Sequence, residues 1–171
     1  MLIQGIPFQE VMDTLTQGVK GAVPAVMLLA LAYSINSLSK TMGTADYIIS
    51  MSEGFLTPAL LPAIIFVISA IMAFATGSSW GTFAICMPIA LPLAFTFTGG
   101  ELGTLVYACF GAVAGGGVFG DHCSPLSDTT VLSSTGSASD HIDHVQTQLP
   151  YALCCGALAI IVYLIIGFTS L

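Results

Sequence analysis

Ten consecutive residues, Asp121 to Thr130, carry most of this chain's chemistry: two carboxylates, an imidazole, a thiol, a proline and four hydroxyls. They follow the apolar, glycine-rich run Gly115-Gly116-Gly117-Val118-Phe119-Gly120. Ionisable groups placed against a membrane-type segment mark a functional site by default. Pro125 lacks a backbone donor and disfavours helix at Ser124. The helix is therefore expected to open at 120–124 and to restart near Pro125, a good first-turn residue. Such an interruption exposes carbonyls at the end of one half-helix and amides at the start of the next, the arrangement in which transporters hold coupling ions. Asp121 and Asp128 are the natural charge carriers. Asp128 falls in the first turn of the second half, where the helix dipole favours a carboxylate. Burial disfavours the charged form of a carboxylate and a nearby cation favours it. Cation and proton then compete for one group, which is the minimal physics of an exchanger. Ser124, Ser127, Thr129 and Thr130 are candidates to complete an oxygen shell or fix carboxylate rotamers. An imidazole changes charge near neutral pH, so His122 is a candidate proton relay or pH sensor.

Blander readings stand beside this one. Were the break outside the membrane, 121–128 would be a solvated loop with a helix cap. A zinc site is disfavoured, because His122 and Cys123 are adjacent and point apart, and no second pair has ligand spacing. A Ser-His-Asp hydrolase is disfavoured too, since there is no nucleophile elbow and no soluble scaffold; an enzyme is not expected. Downstream, Asp140-x-x-Asp143 and His141-x-x-His144 occupy one helical face. A polar segment at the membrane surface is favoured there over an ion funnel or pH sensor.

The elements that must position these residues are membrane elements. The chain is 56% hydrophobic and 6% charged, with a mean hydropathy of +0.96, against about 25% charged residues in a soluble domain. So few charges cannot cover a water-facing surface, and an all-α integral membrane protein in contact with the lipid bilayer follows. The net charge of -7, with only Lys20 and Lys40 positive, argues against nucleic acid as a partner and gives no orientation. The start of the sequence lacks the basic region of a signal peptide. Cys86, Cys109, Cys123, Cys154 and Cys155 read as small buried hydrophobes.

Four to five hydrophobic segments are expected in one membrane domain, 1–171. Residues 7–20 form an interfacial helix with Phe8, Val11, Met12, Leu15 and Val19 on one face. A span over 21–38 and a connection with a short helix near 46–52 follow. Two apolar arms within 58–97 flank Thr76-Gly77-Ser78-Ser79-Trp80-Gly81-Thr82. These are either two spans meeting in the headgroup region, with Trp80 as anchor, or a hairpin whose tip stays within the membrane where protein or a cavity covers it. Pro88 and Pro92 would kink the return arm. Gly99-Gly100-Glu101 is a turn. The interrupted helix occupies 102–134, its glycines permitting close contact. Residues 133–139 are a loop and 149–169 the last span.

The run Gly120 to Ser134 resembles the signature of the NhaC-type sodium/proton antiporter family. Ala75-Thr76-Gly77-Ser78-Ser79-Trp80-Gly81-Thr82-Phe83 resembles a second motif of that family, and Asp140-His141 through Gln148-Leu149-Pro150-Tyr151 its pattern before the last helix. The resemblance implies an ion-transporter fold of two inverted repeats, each with a re-entrant hairpin and a broken helix. It favours the hairpin for 58–97. It implies sodium/proton antiport as a multi-pass protein of the cell membrane, with sodium and protons as transported species and no cofactor. Asp121 and Asp128 would bind sodium and proton, with hydroxyl help from Ser78, Ser79, Thr82, Ser124 and Thr129; His122, His141 and His144 would relay protons or sense pH. Some relatives couple sodium or protons to small organic acids, which leaves a lactate- or malate-type carrier as an alternative. Family members are more than twice this long, so the chain corresponds to the C-terminal portion alone. It then works with an N-terminal half in trans, self-associates as a homo-oligomer, or is a non-transporting remnant.

Overall fold

The computed structural model describes residues 7–43 and 57–170; the helix expected near 46–52 lies outside the described residues. Six helices and no strands occur among them: α1 Phe8–Thr41, α2 Leu61–Thr76, α3 Ser79–Phe97, α4 Thr104–Cys123, α5 Asp128–Gly136 and α6 His141–Thr169. Helices α3, α4 and α6 are each long and apolar enough to cross a membrane. The protein is an all-α membrane protein.

Helix α4 is the centre of the bundle. It runs parallel to α2 at a constant offset, with Gly116 against Phe66 and Ser69, Gly120 against Ala70, and Ser124 against Phe74. A Cβ on Gly116 would lie 2.4 Å from the Phe66 carbonyl oxygen, and one on Gly120 would lie 2.2 Å from that of Ala70. Only hydrogen fits at these two positions, so the backbones touch. Helix α3 packs on the other side of α4, with the Phe83 ring over Gly117. Helix α6 runs antiparallel to α4, pairing Tyr163 with Gly111 and Gly115, and Gly156 with Phe119. The Phe66 ring lies 5.9 Å from Phe119 and 5.4 Å from Tyr163, tying α2, α4 and α6 together. Leu61, Ile65, Cys86, Leu93, Val106 and Val113 fill the core between these helices. Outward lie Ile71, Tyr107, Leu158, Ile161, Ile165 and Phe168, an apolar exterior suited to lipid rather than water.

Several expected boundaries move. The interfacial helix over 7–20 and the span over 21–38 are one helix, α1. Gly18 and Gly21 cost about 1 kcal/mol each relative to alanine, too little to break a helix by themselves, and Pro24 does not end it either. The last span does not begin at 149. Asp140 caps α6 by accepting from the amides of Ile142 (2.9 Å) and Asp143 (3.2 Å), and the helix runs on through Pro150. The polar segment and the final span are therefore one rod. Pro88 and Pro92 lie inside α3 and neither ends it. Cys86, Cys109 and Cys123 are buried as expected, whereas Cys154 and Cys155 lie on the exposed face of α6.

Candidate functional site

The two arms within 58–97 form a tight helical hairpin. The link is two residues, shorter than the seven-residue tip expected. Gly77 ends α2 in the left-handed conformation (φ +67°), its amide donating to Ala73 O at 2.8 Å. Ser78 then caps α3 at once, its hydroxyl accepting from the Gly81 amide at 3.2 Å. Trp80 is thereby drawn into the first turn of α3, exposed and edge-on to Phe83 at 6.0 Å.

Helix α4 does break, but later than expected. It continues through Gly120 to Cys123, residues 124–127 are non-helical, and α5 starts at Asp128. Gly120 is there for contact with α2 rather than for opening the helix. The restart waits for Ser127, whose hydroxyl accepts from the Thr129 amide at 3.2 Å. Asp128 sits in the first turn of α5, as its spacing predicts.

Hairpin tip and break are in contact. A Cβ on Gly77 would lie 2.7 Å from the Leu126 carbonyl carbon, so glycine is required there by both φ and space. The Ser124 hydroxyl donates to Phe74 O at 2.7 Å and accepts from the Leu126 amide at 3.1 Å. The break is thus latched onto the end of α2. It is not a solvated loop: Asp121, Cys123, Ser124, Ser127, Thr130 and Ser134 are all buried.

Within the break, Ser127 Oγ donates to Asp121 Oδ1 at 2.6 Å and lies 2.8 Å from Thr129 Oγ1. Asp121 Oδ2 accepts no hydrogen bond among the described residues. Asp128 and Thr129 are exposed. The two carboxylates therefore have opposite surroundings, one buried and anchored, the other open. Among the described residues no three His, Cys, Asp or Glu side chains come together, and the oxygen recorded against the Asp121 carboxylate is the Ser127 hydroxyl.

The remaining predicted residues divide. Thr82 is buried, but its hydroxyl donates to Ser78 O at 3.0 Å within its own helix. Ser78 is committed to its cap, and Ser79 is half-buried at the start of α3. None of these three hydrogen-bonds to Asp121 or Asp128 among the described residues. His122 is exposed at the end of α4, against the Gln148 side chain. His141 contacts Ser134 and the Pro125 carbonyl. His144 is half-buried in the second turn of α6. Sequence reasoning passed over Gln148, Ser134 and the Phe74 carbonyl. Their partners lie 7 to 50 residues away, and no local spacing points to them.

A sequence profile of the Na+/H+ antiporter family matches residues 1–168. An uncharacterized protein of Haemophilus influenzae is 46% identical over 152 residues, which are 89% of this chain and 28% of that protein. The arginine/ornithine antiporter ArcD of Halobacterium salinarum is 31% identical, covering 97% of this chain and 33% of its own length. The malate-2H(+)/Na(+)-lactate antiporter of Bacillus subtilis is 29% identical, covering 96% and 34%. The chain thus spans about a third or less of the length of these relatives. No solved structure matches it significantly.

Proposed function

The chain belongs to the Na+/H+ antiporter family, and on that premise we propose that it forms part of a multi-pass secondary transporter of the cell membrane that exchanges sodium for protons. The observation that carries this is the buried Asp121 carboxylate, held at one oxygen by Ser127 inside a broken helix that packs on a hairpin tip. With Oδ1 fixed, Oδ2 takes either a proton or a sodium ion. A cation at a buried carboxylate favours its charged form, and a proton neutralises it, so occupancy by one expels the other. The hydroxyls of Ser127 and Thr129 supply hard oxygens beside it. Asp128 and the hydroxyls of Ser78, Ser79, Thr82 and Ser124 take roles that differ from the sequence expectation. Asp128, exposed, gives the ion its approach. Ser78, Thr82 and Ser124 hold the backbone of tip and break, and Ser79 offers a further oxygen at the start of α3.

In this reading the α2–α3 hairpin is re-entrant. Its charge-free tip meets the break, so that non-helical backbone of each is covered by protein, as membrane depth requires. The rest of the transporter's length is supplied by an N-terminal half in trans or by a second copy.

The test is the purified chain in proteoliposomes, with an internal pH dye following proton movement after a sodium jump. A flat trace is repeated with the N-terminal half of a full-length relative supplied. Asp121→Asn is expected to abolish sodium-driven proton movement, by at least about 100-fold, while insertion is unchanged. Asp128→Asn is expected to slow it by about tenfold. Sodium-driven movement retained in Asp121→Asn sinks this reading. The names of two relatives support a second reading, carriage of a small organic ion; sodium-stimulated uptake of labelled lactate or malate without a sodium-driven pH change would select it.

A further inference from the structure

A helix that ends leaves its last carbonyls without amide partners, and Pro125 removes a donor that would have served them. Buried without partners, such carbonyls are costly. The break therefore needs donors from another element, and α6 supplies two.

His141, the first residue of α6, approaches the Pro125 carbonyl with Nε2 at 2.8 Å, and its Nδ1 lies 3.2 Å from Ser134 Oγ on α5. A carbonyl only accepts, so Nε2 carries the proton. Two turns on, Gln148 Nε2 donates to the His122 carbonyl at 3.1 Å, a bond shared with the Thr130 hydroxyl at 3.2 Å. The same amide nitrogen lies against His122 Nε2, which accepts. The reversed amide would set oxygen against the His122 carbonyl, acceptor to acceptor, which favours this orientation even though it leaves Gln148 Oε1 buried without a partner among the described residues.

The two carbonyls held from α6 lie on either side of Cys123–Ser124, where the break begins, one at the residue after Asp121 and the other two residues before Ser127. We propose that His141 and Gln148 are positioning residues: together they strap the backbone of the break to α6 and thereby hold the Asp121–Ser127 pair in register. This role rests on Asp121 as the exchange group, and it replaces the proton relay that the sequence suggested for His141 with a mechanical one.

Cys123 reports on the strap directly, because it is buried inside the bracketed segment, whereas Cys86 and Cys109 are buried elsewhere in the bundle. The experiment measures maleimide labelling of each thiol by peptide mass spectrometry, in the purified full chain, in sodium and in choline. His141→Ala and Gln148→Ala are expected to speed Cys123 labelling by about tenfold, with Cys86 and Cys109 unchanged. His141→Gln, whose amide nitrogen takes the place of Nε2, restores the slow rate. Sodium is expected to slow Cys123 labelling further, at a half-protecting concentration about fivefold higher in the two alanine variants. Cys123 labelling unchanged in both variants overturns the proposal. So does a parallel rise at Cys86 and Cys109, which would mean loosening of the whole bundle. Faster Cys123 labelling in the variants with no sodium effect in the wild type leaves the strap standing and counts against Asp121 as the ion site.

Discussion

Among its neighbours, helix α2 meets α4 and α3 in opposite ways. Against α4 the contact is backbone to backbone at Gly116 and Gly120, and Ser124 adds a hydrogen bond to Phe74 O. Against α3, its own hairpin partner, Ile64, Ile68 and Ser69 face Ile85, Cys86 and Ile89 across an apolar cavity of about 190 Å³. The side-chain hydrogen bond described there is the weak Cys86 Sγ–Met72 Sδ contact at 3.5 Å, and the buried Ser69 hydroxyl, beside the Cys86 thiol, has no well-formed hydrogen bond among the described residues. The first arm of the hairpin thus belongs mechanically with the broken helix. The second is tied to the first by the two-residue link and packs mainly elsewhere, on α4 and α1. Small residues let membrane helices approach; beside the cavity, where the bulkier side chains of α2 and α3 leave a gap, dispersion contacts are lost.

Substitutions can break this contrast or sharpen it. The largest effect is expected for Gly120→Ala, whose Cβ would lie 2.2 Å from Ala70 O. Overpacking against backbone should cost about 3 kcal/mol, read as loss of monodisperse protein or a lower unfolding midpoint in detergent. A fully stable Gly120→Ala protein would show that the α2–α4 seam is not rigid. Ser124→Ala comes next, at about 2 kcal/mol, since it strips a donor from Phe74 O and an acceptor from the Leu126 amide. At the loose seam the sign reverses. Ser69→Ala removes a buried hydroxyl without a well-formed hydrogen bond and should raise stability by about 1 kcal/mol; a loss of that size would reveal a bond between the arms. Cys86→Val, at the edge of the cavity, should stay within about 0.5 kcal/mol of the parent, and a larger penalty would mean that the seam is already tight.

The sequence carried the outline of this fold further than its joints. The apolar runs that become α3, α4 and α6, the turn at Gly99–Gly100 and a helix break upstream of Asp128 were legible, because proline, glycine and hydropathy act locally; the hairpin around Gly77 stood level with two separate spans until the family resemblance favoured it. Gly120 was read both as a small residue admitting a neighbouring helix and as the point where its own helix opens; the structure keeps the first role and drops the second. A glycine that weakens a helix and one that admits a neighbouring helix look alike until the neighbour is known. The continuity of α1 past Lys20 and of α6 through Pro150 was hidden for a related reason: a change from polar to apolar composition marks where water ends, not where a helix ends. At the site, the types of the reactive groups were readable and their pairing was not. Asp121 and Asp128 share a residue type and a motif, and only the packed structure buries one and exposes the other.

The tightest contact that α6 makes lies at its far end, where a Cβ on Gly167 would fall 1.9 Å from Ala59 O. That contact is a natural fulcrum, and His141 to Gly167 lie on one helix that continues through Pro150, about 39 Å apart at 1.5 Å per residue. Leverage follows from the lengths alone: a tilt of about 5° at the fulcrum carries the His141 end through about 3 Å, the reach of a hydrogen bond. A displacement too small to disturb the apolar packing around Gly167 is large enough to part His141 from Pro125.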